Sequence, residues 1–186
     1  KEYLQERLLQ LLNQFQFEGP LLEVGCGVGE NLMMMKDSFD VEGIDLSKEA
    51  VDICVSKGLK VRNVDFLEVN KRCKSIICVD VIEHVQNDEQ FIAHFREVLD
   101  TKGKLLILVP SGKMRGDDNF YGHYRRYSKQ QITDLLGKYF KVKHVEMFGY
   151  PFFHYSRLLL NANNKYQEVE SEKLQHNTLR SSYQNA

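Results

Sequence analysis

The residues best placed to do chemistry begin with a glycine turn. Gly25, Cys26, Gly27, Val28 and Gly29 make a G-x-G-x-G sequence directly after the apolar run LLEV. Glycines let the backbone turn sharply and let a ligand approach without a Cβ in the way. The amides that open the next helix then face that ligand. Sixteen residues after Gly29, Asp45 ends the run VEGID, where a carboxylate can accept hydrogen bonds from both hydroxyls of a ribose. Turn and acid together point to a nucleoside ligand, far more firmly than a lone glycine motif does. Glu23 lies inside the first apolar run. An unpaired buried acid is expensive, so that position asks for a functional partner. Asp65 suits either a ligand contact or a turn. Cys26 reads as a small turn filler, and Met33–Met35 as the core-facing side of a helix.

A second group lies in PSGKMRGDDNFYGHYRRYS (110–128). Lys113, Arg115, Arg125 and Arg126 bring positive charge, and Tyr121, His123, Tyr124 and Tyr127 bring aromatic and proton-transfer groups. Arg125 and Arg126 between Tyr124 and Tyr127 suit a carboxylate or phosphate on a substrate. His84, four residues past Asp80, and His123 are the candidate bases, each with a purely structural role as the alternative.

These groups need strands and helices to hold them. Leu4, Leu8, Leu11, Leu12 and Phe15 recur at helical spacing, and Gly19-Pro20 ends that helix. LLEVG (21–25), VEGID (41–45), LKVRNV (59–64), KSIICVDV (74–81), GKLLILVP (103–110) and KVKHVEMFG (141–149) read as strands. Between them ENLMMMKDS (30–38), SKEAVDICVSKG after a Ser47 cap, DEQFIAHFREVLDTKG after Asn87, and SKQQITDLLGKYF read as helices. Gly103 is placed just past the third of these. Ser128 and Gln131 form a capping-box pair at the fourth. Strands alternating with helices imply an α/β fold: a doubly wound, mostly parallel sheet of six or seven strands with helices on both faces.

Four segments, EVGCGVG (23–29), GIDLS (43–47), VDF (64–66) and VDVIEHV (79–85), stand in order at familiar intervals. Through them residues 20–150 resemble the class I S-adenosylmethionine-dependent methyltransferases, in the small-molecule branch related to ubiquinone and menaquinone biosynthesis. GHYRRYS (122–128) also resembles a segment of that branch, on the side where the family places acceptor-binding elements. The resemblance implies a Rossmann-like methyltransferase fold, with S-adenosyl-L-methionine as cofactor. It places Glu23 near the methionine ammonium, Gly25, Cys26, Gly27 and Gly29 along the cofactor, and Asp45 on the ribose. Leu46 would pack on the adenine, and Asp65 would accept from its amino group beside Phe66. Asp80 and Val81 would face the methionine portion and the acceptor. Tyr124, Arg125, Arg126 and Tyr127 would bind substrate, and His84 and His123 would serve catalysis. A cofactor carrying a sulfonium and an ammonium but no phosphate suits Glu23 and Asp80, whereas a pyrophosphate would be repelled. Glu30 stands where the last glycine of the dinucleotide motif G-x-G-x-x-G would fall. A nicotinamide-dependent oxidoreductase is thereby disfavoured, and a non-catalytic cofactor-binding module remains the other alternative.

Composition agrees with these assignments. The chain has 186 residues, 25 Lys+Arg against 26 Asp+Glu, and 42% hydrophobic residues, which fits one folded domain. A net charge of -1 gives no field for gripping a phosphate backbone, so a small-molecule acceptor is expected rather than nucleic acid. No apolar run approaches the roughly 20 residues of a membrane span. Cys26, Cys54, Cys73 and Cys78 form no C-x-x-C, so no metal site is expected, and reduced thiols suit the cytoplasm. The expected organisation is an N-terminal helix over 1–18, the cofactor-binding domain over 19–160 with an apolar stretch at 150–160 able to cover an acceptor, and a polar tail or flap over 161–186.

Overall fold

The structure, a computed structural model, describes residues 2–147. The expected elements at 150–160 and 161–186 lie outside the described residues. In chain order the elements are α1 (Glu2–Gln14), β1 (Leu21–Val24), α2 (Glu30–Met35), β2 (Val41–Asp45), α3 (Lys48–Ser56), β3 (Val61–Asn63), β4 (Cys73–Val79), α4 (Asp88–Val98), β5 (Leu99–Leu108), α5 (Asp118–Tyr121) and α6 (Lys129–Gly137). Short 3-10 turns at Phe66–Glu68 and Ile82–His84 follow β3 and β4.

The strands form a fully parallel sheet in the order β3-β2-β1-β4-β5. The chain therefore starts at the centre, steps outward through β2 and β3, then crosses back over β1 to lay down β4 and β5. Where the direction reverses, between β1 and β4, the loops leaving the two strands part and leave a crevice at their carboxyl ends.

Alternation along the buried strands divides the core in two. Leu22, Val24, Ile76 and Cys78 face Phe91, Ile92, Phe95 and Val98 of α4. Leu21 and Ile77 face the other side, with Leu8 and Leu12 of α1, Leu32 and Met35 of α2, and Cys54 of α3. Every residue of β1 is buried, as a central parallel strand with both faces covered requires. Glu23 shares its face with Leu21, beneath α2. All four cysteines are free and buried.

The caps expected from sequence hold: Ser47 accepts from the Ala50 amide, Asn87 from Gln90, and Ser128 with Gln131 closes a capping box. Two expectations need correction. The helix after Asn87 stops at Val98 and the chain enters β5 at once. Gly103 is therefore a strand residue, and its Cβ would fall 2.7 Å from Leu99 Cγ; close packing selects glycine there, not a helix end. The strand expected at 141–149 does not form over 141–147. Side chains anchor this segment to α1 instead: Arg7 donates two 2.7 Å hydrogen bonds to the Glu146 carboxylate, and Phe15 lies against His144 with 5.3 Å between ring centroids. The sheet accordingly has five strands among the described residues, where six or seven were expected.

Candidate functional site

The glycine turn is held from three sides. The Gly25 amide donates to the Ile44 carbonyl at 2.9 Å, carrying β1 directly into the turn. Asp45 then grips it from β2, Oδ2 accepting from the Gly27 amide and Oδ1 from the Ser47 amide, each at 2.8 Å. Cys54 Sγ of α3 donates to the Gly27 carbonyl at 3.3 Å. Gly25, Gly27 and Gly29 all have positive φ. At Gly29 (φ 80°) a Cβ would also fall 2.4 Å from Leu59 Cδ1, so conformation and space both demand glycine. Cys26 is buried, and burial pushes its thiol far above the usual range. Both features are those of a small residue filling the turn.

Each Asp45 carboxylate oxygen keeps a lone pair after accepting one amide. Burial raises the Asp45 pKa, and the Ser47 and Gly27 amides oppose that rise. Beside it a pocket opens, lined by Val24, Gly25, Leu46, Asp65, Phe66 and Phe91 among others. Asp65 caps the 3-10 turn by accepting from the Leu67 amide at 2.9 Å, so its turn role is real, and it lines the pocket as well. Phe66 is fixed edge-on against Phe91, with 4.9 Å between centroids. Phe91 belongs to a segment that the sequence marks only as a helix; its place in the pocket depends on a contact distant in sequence.

Glu23 is 1% exposed. Oε1 accepts from Asn31 Nδ2 at 2.8 Å, while Oε2 is buried with no hydrogen-bond partner. Burial outweighs the help from Asn31 and, with the nearby Asp45 charge, pushes the Glu23 pKa up to about 8. Asn31 was not singled out from sequence, although it stands in the first turn of the helix that follows the glycines, within reach of Glu23. Asp80, just past β4, adopts φ 53°, a conformation uncommon outside glycine. Its side chain stays open to solvent, yet protein packed around the carboxylate pushes its pKa up to about 6 against the pull of Arg126. Val81 is buried behind it.

The expected substrate group behaves differently. Arg126 forks onto Asp118 with two 2.7 Å hydrogen bonds. Arg125 donates to the Val85 and Gln86 carbonyls at 2.9 and 2.7 Å and pairs with Asp88 at 2.8 Å. Tyr127 is buried, its hydroxyl donating to Asp88 at 2.8 Å. Arg125 and Tyr127 zip the 111–127 loop onto the 82–88 segment, and Arg126 closes that loop on itself through Asp118 and the Ser111 carbonyl. Expected on substrate, these three side chains have their hydrogen-bonding groups engaged within the chain, where they anchor the loop. Tyr124 alone of the four remains exposed.

His84 and His123 do come together, their rings edge to face at 4.7 Å between centroids. Asp118 organises this corner. It has no exposed surface, being covered by its own partners rather than by depth in the core. Oδ1 meets His123 Nδ1 at 2.9 Å and Oδ2 accepts the Arg115 amide at 2.6 Å. Burial raises the Asp118 pKa, but Arg126, that amide and His123 together bring it down to about 2. In sequence Asp118 was one acid in a charged loop; only the folded loop brings it to Arg126 and His123.

Comparison with known proteins agrees with this geometry. Residues 1–145 match the family model described as a methyltransferase domain. The ubiquinone biosynthesis O-methyltransferase of Rickettsia bellii is 32% identical over 98 residues, 47% of this chain and 40% of that protein. Its namesake from Rickettsia akari is 28% identical over 115 residues, 57% of this chain and 46% of that one. The chain therefore spans less than half the length of these relatives. In fold it is similar to magnesium protoporphyrin IX methyltransferase from Synechocystis, solved with bound SAM (TM-score 0.64, 18% identity, covering 81% of this chain and 74% of that one). It is also similar to phosphoethanolamine N-methyltransferase 2 from Haemonchus contortus (TM-score 0.67, 18% identity, covering 97% of this chain and 48% of that one).

Proposed function

Because the chain belongs to the methyltransferase-domain family, we propose that it moves a methyl group from S-adenosylmethionine to a hydroxyl oxygen of a small-molecule acceptor. The observation that carries the cofactor assignment is the pair of buried carboxylates around the glycine turn. Glu23 holds one oxygen on Asn31 and keeps the other unpartnered, a fit for an ammonium and a poor fit for a pyrophosphate. Asp45 retains lone pairs for two ribose hydroxyls, and the pocket of Leu46, Asp65 and Phe66 offers apolar walls with one acceptor at its edge, as an adenine requires. The bound cofactor supplies a methyl carbon on a sulfonium, so that attack by the acceptor's lone pair breaks the carbon–sulfur bond and leaves a neutral thioether.

The chain's own residues hold, orient and keep water out. Asp80 presents a carboxylate at the crevice mouth beside the sulfonium position. His84 and His123 flank the acceptor side, where a proton must leave a hydroxyl nucleophile. The choice of oxygen follows the Rickettsia relatives, which are named O-methyltransferases. Four free, buried cysteines support a reducing compartment such as the cytoplasm. Among the described residues no helix is long and apolar enough to cross a membrane.

Calorimetric titration with S-adenosylmethionine, its demethylated product and NAD tests the assignment. The first two are expected to bind and NAD not to. Asp45→Ala is expected to weaken the binding at least tenfold, since two charge-assisted hydrogen bonds are lost. Binding of NAD alone, or an Asp45→Ala variant with undiminished affinity, contradicts it.

A further inference from the structure

The adenine side of the crevice is carried by a weak piece of chain. Asp65 and Phe66 belong to one 3-10 turn that follows β3, a strand of three residues on which Arg62 and Asn63 are exposed. A 3-10 turn this short does not hold its own shape, because its hydrogen bonds are few and poorly aligned. Its arrangement must be imposed from outside, and α4 imposes it. Phe66 is buried with its ring centroid 4.9 Å from that of Phe91, 4.5 Å from Phe95 and 4.9 Å from His94.

Phe91 and Phe95 hold Phe66 by packing, and His94 adds a directed bond. Its Nε2 lies 2.9 Å from the carbonyl of Val69, the residue that closes the turn. A carbonyl only accepts, so Nε2 carries a proton and donates. Nδ1 lies 3.0 Å from Glu97 Oε2, one turn along α4. Glu97 is 74% exposed against 15% for the His94 side chain, so this pair orients the ring but contributes little to stability. The imidazole is thus fixed at both nitrogens, and it meets the Phe66 ring at 73°. Asp65 caps the front of the same turn, with Oδ1 on the Leu67 amide, and His94 pins its back.

We propose that His94 is a positioning residue for the cofactor's base: it fixes the Asp65–Val69 turn so that Phe66 and Asp65 meet the adenine in one register, and so sets the preference for adenine over other purines. The role deepens the assignment of S-adenosylmethionine to this crevice and rests on it. His94 is not among the residues that line the pocket; it acts through Phe66 and Val69. Without its bond the turn is free to swing the Asp65 carboxylate off the adenine amino group. The ribose hydroxyls keep their place, since Asp45 belongs to β2 and is held by the Gly27 and Ser47 amides. Loss of His94 therefore falls on the reading of the base.

The test titrates two ligands into the whole chain by calorimetry. One is S-adenosylhomocysteine; the other is S-inosylhomocysteine, which carries a carbonyl oxygen in place of the adenine amino group. Wild type is expected to prefer the first at least tenfold, because the second sets an acceptor against the Asp65 carboxylate. His94→Ala is expected to cut that preference at least threefold. His94→Gln, whose amide can still donate to the Val69 carbonyl, is expected to restore most of it. A residue that only stabilises the fold weakens both ligands alike, so equal losses in His94→Ala overturn the proposal, as does a preference equal to that of wild type. If His94→Ala fails to fold, His94→Phe decides, since it keeps a ring against Phe66 and lacks the donor. A wild-type preference in His94→Phe overturns the proposal. Selective binding by wild type that the variants leave unmoved defeats the role of His94 alone. A wild type that binds neither ligand defeats the S-adenosylmethionine reading, and the role of His94 with it.

Discussion

At the scale of residues, Glu23 concentrates the chemistry. Its place in an apolar strand was visible in the sequence, and so was the demand for a partner. The half-satisfied state was not, because it depends on Asn31 supplying one donor and no more. A folded-state pKa of about 8, against 4.5 for a free glutamate, has a definite sign. The protonated form is favoured by the fold, so this group's stability contribution is fully present below pH 4.5 and is lost as pH rises through about 8. Thermal melts are expected to show wild type losing more stability than Glu23→Gln between pH 5 and pH 8. Parallel losses in the two proteins would contradict the assignment. A cationic ammonium next to Glu23 reverses the preference. Cofactor binding near pH 7 should therefore release a proton, read by calorimetry in buffers of different ionisation enthalpy. Glu23→Gln should abolish that release and weaken binding about tenfold to a hundredfold. Asp118, Arg126 and Tyr127 show the opposite limit of legibility. Arginines between tyrosines look like a substrate grip, and only the folded loop reveals that their partners lie within the chain.

At the scale of elements, the order of strands and helices and three of their caps followed from periodicity and local hydrogen bonding. The errors arose where tertiary contacts override local pattern. Gly103 resembles a helix stop but serves close packing on Leu99, and 141–147 alternates like a strand yet is tied to α1 through Arg7 and Phe15. The turn from β1 into α2 is where sequence and structure agree most closely, and it is correspondingly sensitive. Gly29→Ala places a Cβ in a left-handed conformation, costing about 1–2 kcal/mol. It also drives that Cβ into Leu59 and Cys54, about 1–3 kcal/mol more for overpacking. Urea unfolding is expected to show a loss of that combined order. A variant as stable as wild type would mean that the turn is not held as described.

At the scale of the whole molecule, a net charge of -1 conceals a division of labour. Glu23, Asp45, Asp65 and Asp80 gather along the carboxyl ends of the strands and the turns that follow them, where the sheet order reverses. The cations expected opposite them serve instead to fasten the 111–127 loop, delivering His123 to His84 and Glu83. The fold therefore brings an acid-lined cofactor crevice and a histidine corner to the same end of the sheet. The central claim is that the crevice between β1 and β4 holds S-adenosylmethionine by these acids. Crystals grown with its demethylated product test it most directly. The ribose hydroxyls are expected on Asp45, the adenine between Leu46 and Phe66 with its amino group at Asp65, and the ammonium on Glu23. A nucleoside seated away from Asp45, or an ammonium that leaves Glu23 untouched, would contradict the account.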